Sequence, residues 1–189
     1  TYPAGRIRIP NDSKSRAGGV LYSDYSLGRF FAEAARQPWF ENTIFLVTAD
    51  HCASSAGRTE IPLQKYHIPA LILAPGLIEP GVVDGIVSQI DLMPTLLSLL
   101  NMSYDSHFYG RSIFDPAYVN RAFIATYQDL GYLEGDTFTI LSPVRRFEQY
   151  RVVPTEENPH HLEAMERKDA VQVDRAIGYY QTSCKWNKR

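Results

Sequence analysis

Cysteine is scarce in this chain, with only Cys52 and Cys184 among 189 residues. Two thiols so far apart give neither a zinc-binding cysteine spacing nor a disulfide framework, so the fold must be held by its core. An excess of charge of one sign is missing as well. Lys and Arg number 19 against 21 Asp and Glu, a formal net charge of -2, so no global field recruits nucleic acid. The basic end at residues 185–189 is short enough to read as a solvated tail. No apolar run approaches the roughly 20 residues that span a bilayer. The longest candidate, residues 68–78, is interrupted by Pro69, Pro75 and Gly76. No signal peptide is present, and the first residue is Thr1 rather than Met, which reads as a processed product or a cut piece of a longer protein. No internal repeat or low-complexity tract is evident.

What is present is a globular composition, 44% hydrophobic with 12 Gly and 12 Pro. Residues 1–14 are polar and rich in turn formers, so they read as an extended leading segment. From Ser15, Ala17, Val20, Leu21, Leu27, Phe31 and Ala34 recur at helical steps until Gln37-Pro38 closes the run. Asp24 falls on the apolar side of that wheel, where a buried carboxylate would need partners. Apolar runs at 43–49 and 70–74 read as strands buried in a parallel sheet, and 88–100 as a helix with Asp91 as N-cap and Pro94 in its first turn. Residues 121–153 break into short β-type runs with a hairpin signal at Glu134-Gly135-Asp136. The stretch from Pro159 reads as a helix with Ala170, Val173, Ile177, Tyr180 and Cys184 on one seam, so Cys184 is expected to be packed. The expected fold class is α/β: a partial sheet flanked by helices, then a small antiparallel sheet, then a C-terminal helix. The expected divisions are 1–118, 119–157 and 158–189.

Chemistry concentrates where the first strand ends, at Asp50-His51. Ligand sites of parallel sheets lie at the carboxyl ends of strands, and a hard oxygen beside a neutral nitrogen suits a divalent cation such as zinc or manganese. A helix cap beside a hydrogen-bonded loop histidine is the blander alternative. Lys65 and His67 lie just before the second strand. Residues two apart on an extended segment face the same way, so they would point together, Lys65 toward a tetrahedral anion and His67 as a ligand or hydrogen-bond donor. An exposed lysine and a capping histidine are the alternatives. Arg58 is a weaker candidate of the same kind. His107, His160 and His161 sit in polar turn regions and read as surface residues.

Four stretches taken together are more specific: Tyr-Ser-Asp-Tyr-Ser-Leu-Gly at 22–28, Trp-Phe-x-Asn-Thr-Ile-Phe-Leu-Val-Thr-Ala-Asp-His at 39–51, Lys-x-His-Ile-Pro at 65–69, and Ser-Gln-Ile-Asp-Leu-Met-Pro-Thr-Leu-Leu at 88–97. Their order and spacing resemble the C-terminal half of the sulfatase and lipoteichoic acid synthase-like family, within the alkaline phosphatase superfamily. The likeness covers residues 17–114 and extends loosely over the antiparallel sheet. It implies an alkaline-phosphatase-like partial sheet, and a divalent metal held by Asp50 and His51 together with an acidic residue and a nucleophile from an N-terminal half of the same protein. It implies a place for His67 near a second metal or the substrate, an anionic ester that can be lipid-linked, where Lys65 would join His67 in orienting that ester. Imidazole is a poor calcium ligand, so His51 points to manganese or zinc over calcium or magnesium and to phosphoglycerol or phosphoethanolamine chemistry alongside sulfate esters. It further implies an extracytoplasmic, periplasmic domain attached to the inner membrane through N-terminal helices. Two departures stand out: Cys52 replaces the glycine that usually follows Asp-His, and the chain carries neither a Cys-x-Pro-x-Arg signature nor a metal-bound threonine. The fragment alone is therefore expected to be inactive. The rival reading is a catalytically incomplete module that binds an anionic lipid or glycan.

Overall fold

The computed structural model describes residues 3, 5–8, 15–52 and 61–186, and Arg58 lies outside them. Two compact units emerge, one of residues 1–47 with 71–80 and one of 48–70 with 81–189.

In the first unit, helix α1 (Arg16–Ala34) starts where the Ser15 hydroxyl accepts the Gly18 N–H at 3.0 Å, an N-cap that satisfies one of the free donors of the first turn. The chain turns through Phe40–Asn42 into strand β1 (Phe45–Thr48). Phe45 is the packing centre: the rings of Phe31, Phe40, Phe30 and Trp39 surround it at centroid distances of 5.3, 5.4, 6.0 and 6.2 Å. β1 pairs with β2 (Ala70–Leu73) in a two-stranded sheet. Neither strand is buried throughout, as their unbroken apolar character predicts: β1 is half-buried at every residue and Leu71 is 53% exposed. Too few described elements lie on these two strands to cover both faces. The same shortage corrects the expectation for Asp24. Val20 and Phe30 of α1 remain exposed, so its carboxylate keeps its water and needs no partner.

The second unit is built on an antiparallel meander, β3 (Arg121–Ala125), β4 (Leu130–Glu134), β5 (Thr137–Ser142), β6 (Arg146–Val152) and β7 (Leu162–Ala164), in sequential order. The predicted hairpin is present. Glu134 pairs with Thr137 across Gly135-Asp136, and Gly135 takes φ +59°, a left-handed value a side chain would resist. The chain from 159 is not continuously helical: residues 162–164 add the fifth strand, and helix α3 (Ala170–Trp186) begins later. Alternation explains how one sheet covers two faces. Leu133 and Phe138 join Ile61, Leu63 and Ile124 in a buried apolar cluster. Gly131 makes that packing possible, because a Cβ there would stand 2.8 Å from the Phe138 ring.

The opposite face carries Phe123, Tyr132, Thr139 and Gln149, directly paired across four strands beneath α3. Thr139 and Gln149 are fully buried, so every polar atom needs a partner. The Gln149 amide donates to Thr139 Oγ1 at 2.9 Å and to the Asp169 carbonyl at 3.1 Å, and its oxygen accepts the Asp169 N–H at 2.7 Å. Thr139 in turn donates to Gln172 Oε1 at 3.0 Å. These bonds fix the start of α3 on the sheet. Val173 and Ala176 are buried beneath it, whereas Cys184 is exposed, contrary to the seam drawn from the sequence.

Tyr180 closes the other end of that contact, donating to the carbonyls of Gly131 at 2.7 Å and Ile124 at 3.0 Å. Burial pushes its hydroxyl up from 10.0 to about 12. The folded state therefore keeps a proton that the unfolded chain gives up near pH 10, and this contribution to stability is lost as pH rises from 10 to 12. Tyr180→Phe is expected to cost about 1 kcal/mol at neutral pH and to flatten that alkaline decline. Unfolding midpoints measured across the alkaline range check both. Equal slopes for the two proteins would contradict the assignment.

No helix among the described residues is long and apolar enough to cross a membrane.

Candidate functional site

Asp50 and His51 lie just past the end of β1, one residue, Ala49, beyond Thr48. Thr48 at the strand end donates to the Pro69 carbonyl at 3.1 Å, tying the departure from β1 to the approach to β2. The Gln89 amide then reaches across to the carbonyls of Ala49 and Asp50 at 3.0 and 3.2 Å. The backbone carrying the pair is thus held from two directions while the side chains stay open, His51 at 78% and Asp50 at 88% exposure.

The local hydrogen bonds decide what the imidazole can offer. His51 Nδ1 lies 2.8 Å from the Cys52 carbonyl, which can only accept, so Nδ1 carries the proton and the neutral ring keeps a lone pair on Nε2. Asp50 Oδ1 accepts the His51 N–H at 2.9 Å, and Oδ2 stands 3.4 Å from Nε2. In the neutral ring two acceptors face each other at that distance. Such an arrangement is repulsive unless Nε2 is protonated or a cation lies between the two, and a hard oxygen with a neutral nitrogen is a donor set that fits zinc or manganese. Among the described residues no group of three or more His, Cys, Asp or Glu could hold a metal ion, so these two donors are a partial set. Cys52, which stands where the resemblance has glycine after Asp-His, is buried.

Lys65 and His67 do not share the geometry the sequence predicts. Residues Leu63–Tyr66 form a 3-10 turn, and His67 is the extended residue that ends it. At about three residues per turn, positions two apart point well away from each other, so the strand argument for a joint Lys65–His67 face fails. His67 instead meets His160 edge to face, with ring centroids 5.7 Å apart. His160 is half-buried rather than a surface residue. Burial lowers its pKa, and the neighbouring His67 lowers it further. No local pattern signals this pairing, since 93 positions separate the two rings and the turn before β7 brings them together. Gln89 was likewise legible only as part of a motif, not as the side chain that pins the Asp50 backbone.

A model of the family described as sulfatase matches residues 7–102. An arylsulfatase of Clostridium perfringens is 30% identical over 107 residues, covering 52% of this chain and 22% of that protein. The crystal structure of a protein in the alkaline phosphatase superfamily from Vibrio parahaemolyticus superposes with a TM-score of 0.84 at 32% identity, over 97% of this chain and 46% of that one. The chain therefore spans less than half the length of either relative.

Proposed function

We propose, from the premise that this chain belongs to the sulfatase family, that the whole protein hydrolyses or transfers an anionic ester, a phosphate of the phosphoglycerol or phosphoethanolamine type or a sulfate. The observation that carries this reading is the convergence of Asp50 Oδ2 and His51 Nε2 at 3.4 Å, with the tautomer set by the Cys52 carbonyl. Family members use divalent metals, and here the chemistry of the donors favours manganese or zinc. A divalent ion bound there would neutralise charge developing on the tetrahedral phosphorus or sulfur centre. The remaining ligands and the nucleophile would come from polypeptide outside these residues, the N-terminal half of the same protein.

This chain's own residues would then divide the work. Asp50 supplies negative charge and a hard oxygen, and His51 supplies a nitrogen whose proton is parked on the opposite ring atom. Gln89 holds the carbonyls on either side of the Asp50 peptide, so the carboxylate starts from a fixed backbone. Lys65 would draw the anionic ester by charge, and His67 would hold a proton for the leaving oxygen. Resemblance alone supports an extracytoplasmic, periplasmic location with attachment to the inner membrane.

Asp50→Ala in the full-length protein is expected to abolish stoichiometric metal and to reduce ester turnover about hundredfold or more. Elemental analysis of the purified protein and assays with aryl phosphate, phosphodiester and sulfate substrates check this. Unchanged metal content and turnover would reduce Asp50-His51 to a loop cap. Metal and substrate binding without turnover in the unmutated protein would favour the incomplete binding module.

A further inference from the structure

The sheet of the second unit ends in two exposed tips that nothing described so far uses. The β3–β4 turn carries Tyr127 at 91% exposure and the β5–β6 turn carries Val144 at 90%. Ala125 pairs with Leu130, Leu130 with Leu141, and Ser142 with Arg146, so both turns leave the same end of the sheet. Two strand spacings separate the centres of the turns, so the tips stand on the order of 10 Å apart. The second tip is also strained. Val144 and Arg145 take φ +64° and +56°, a left-handed conformation that a β-branched residue resists. Glycine or asparagine would relieve it, yet an apolar side chain is held outward there, flanked by Arg145 and Arg146, with Phe147 exposed behind them.

Charge at this end is mainly positive: Arg145 and Arg146 stand against Asp129 in the neighbouring turn and Glu148 two residues further along β6. Helix α3 adds to the excess. It contacts Thr137 through Gln172 at the far end of the sheet and Gly131 through Tyr180 nearer the tips, so it runs toward them. Exposed Lys185, five residues on, lies about 7.5 Å further in that direction. Tyr66 donates to the Ala125 carbonyl at 3.4 Å, which sets the turn bearing Lys65 at the same end.

We propose that these two tips dock the protein on an anionic lipid surface, Tyr127 and Val144 entering the interfacial layer while Arg145, Arg146 and Lys185 meet the headgroups. Tyrosine with an apolar neighbour, rimmed by arginine, is the composition that such a boundary favours. A soluble polyanion would exploit the cations and leave Val144 without a reason to be held outward. The proposal is independent of the chemistry at Asp50 and His51, which the tip variants leave untouched.

The test is co-sedimentation of the full-length protein with vesicles of equimolar phosphatidylcholine and phosphatidylglycerol, compared with phosphatidylcholine alone. Reading variants against the unmutated protein removes the effect of any other attachment. Replacing both arginines by R145E and R146E is expected to weaken binding to the anionic vesicles at least about twentyfold, at roughly fivefold per arginine. Tyr127→Ser with Val144→Asn is expected to weaken it about tenfold, although Val144→Asn relieves strain and so leaves the fold at least as stable. Turnover of a water-soluble ester and metal content stay unchanged in both variants. An environment-sensitive dye on Val144→Cys, in a Cys184→Ser background, should report an apolar medium only with anionic vesicles. A dye already shielded without vesicles would show that protein covers the tip and would overturn the proposal. So would binding unaffected by the variants, an equal response to phosphatidylcholine vesicles, or the same response to heparin.

Discussion

Asp91→Ala is expected to destabilise the protein by about 3–5 kcal/mol, enough to remove most of the stability of an ordinary domain. The carboxylate is fully buried and accepts from every side: Arg111 N–H at 2.8 Å, Tyr118 hydroxyl at 2.9 Å, Ser88 N–H at 3.1 Å, and the Arg121 guanidinium at 3.2 and 3.4 Å. Arg121, its side chain 2% exposed, is held besides by the carbonyls of Tyr109 at 3.0 Å and Val119 at 3.3 Å. Its Nε has no hydrogen-bond partner, so that part of the guanidinium rests only against the rings of Phe123, Tyr118 and Tyr179, at 5.6 to 5.9 Å. Removing the carboxylate strands a cation in this dry setting, and the loss of one partner costs far more than the pair contributes. The Tyr118 hydroxyl, whose pKa burial and then the Asp91 carboxylate drive upward, loses its acceptor too. Adding Arg121→Met to Asp91→Ala should recover part of the loss, since neither charge is then buried alone. Urea denaturation of the single and double variants measures this. A loss below about 1 kcal/mol for Asp91→Ala would mean water reaches Arg121.

That node shows where the sequence was readable. Asp91 before Leu92-Met93-Pro94 signals a helix start, and helix α2 (Leu92–Leu99) does begin there, with Pro94 in its first turn. Asp91 is the N-cap of α2 by position but makes no side-chain cap bond to it; Ser88 caps the 3-10 turn before it. The Ser88 side chain and the Asp91 carboxylate close a capping box around that turn, which leaves the other Asp91 oxygen free for Arg111 and Arg121. Local chemistry fixed the element, while the partner 30 residues away could not be inferred from spacing. The antiparallel sheet was legible for the same local reason, through short β-type runs and a glycine hairpin. β7 was not, because three residues, Leu162-Glu163-Ala164, carry too little pattern to compete with the helical signal after them. Asp50 and His51 announced themselves by position, next to each other after an apolar strand. His67 and His160 meet through tertiary structure alone, and the strand assumption for Lys65 failed because the four residues after Pro62 form a 3-10 turn.

Gly110→Ala is expected to cost about 3 kcal/mol, the upper end of what overpacking a close-fitted site brings. The reason is steric rather than conformational. A Cβ at Gly110 would lie 1.9 Å from the Ile90 carbonyl oxygen, 2.5 Å from its carbon and 3.0 Å from the Asp91 nitrogen. All three are backbone atoms in the turn that places Gln89 under Asp50 and Asp91 against Arg121, so no side chain can swing aside to relieve the clash. The chain at 109–111 must retreat, and that retreat pulls the Tyr109 carbonyl from Arg121 and the Arg111 N–H from Asp91. The same substitution at Gly178, inside α3 with nothing within 4 Å of the added carbon, should instead stabilise by about 0.5–1 kcal/mol. Chemical denaturation of the two variants side by side separates close approach from helix propensity. Since Gln89 lies one residue before the obstructed carbonyl, Gly110→Ala in the full-length protein should also weaken metal retention, with Gly178→Ala leaving it intact. A Gly110→Ala protein as stable as the unmutated one would show that the turn over residues 88–91 can shift as a body without disturbing the Asp91–Arg121 pair.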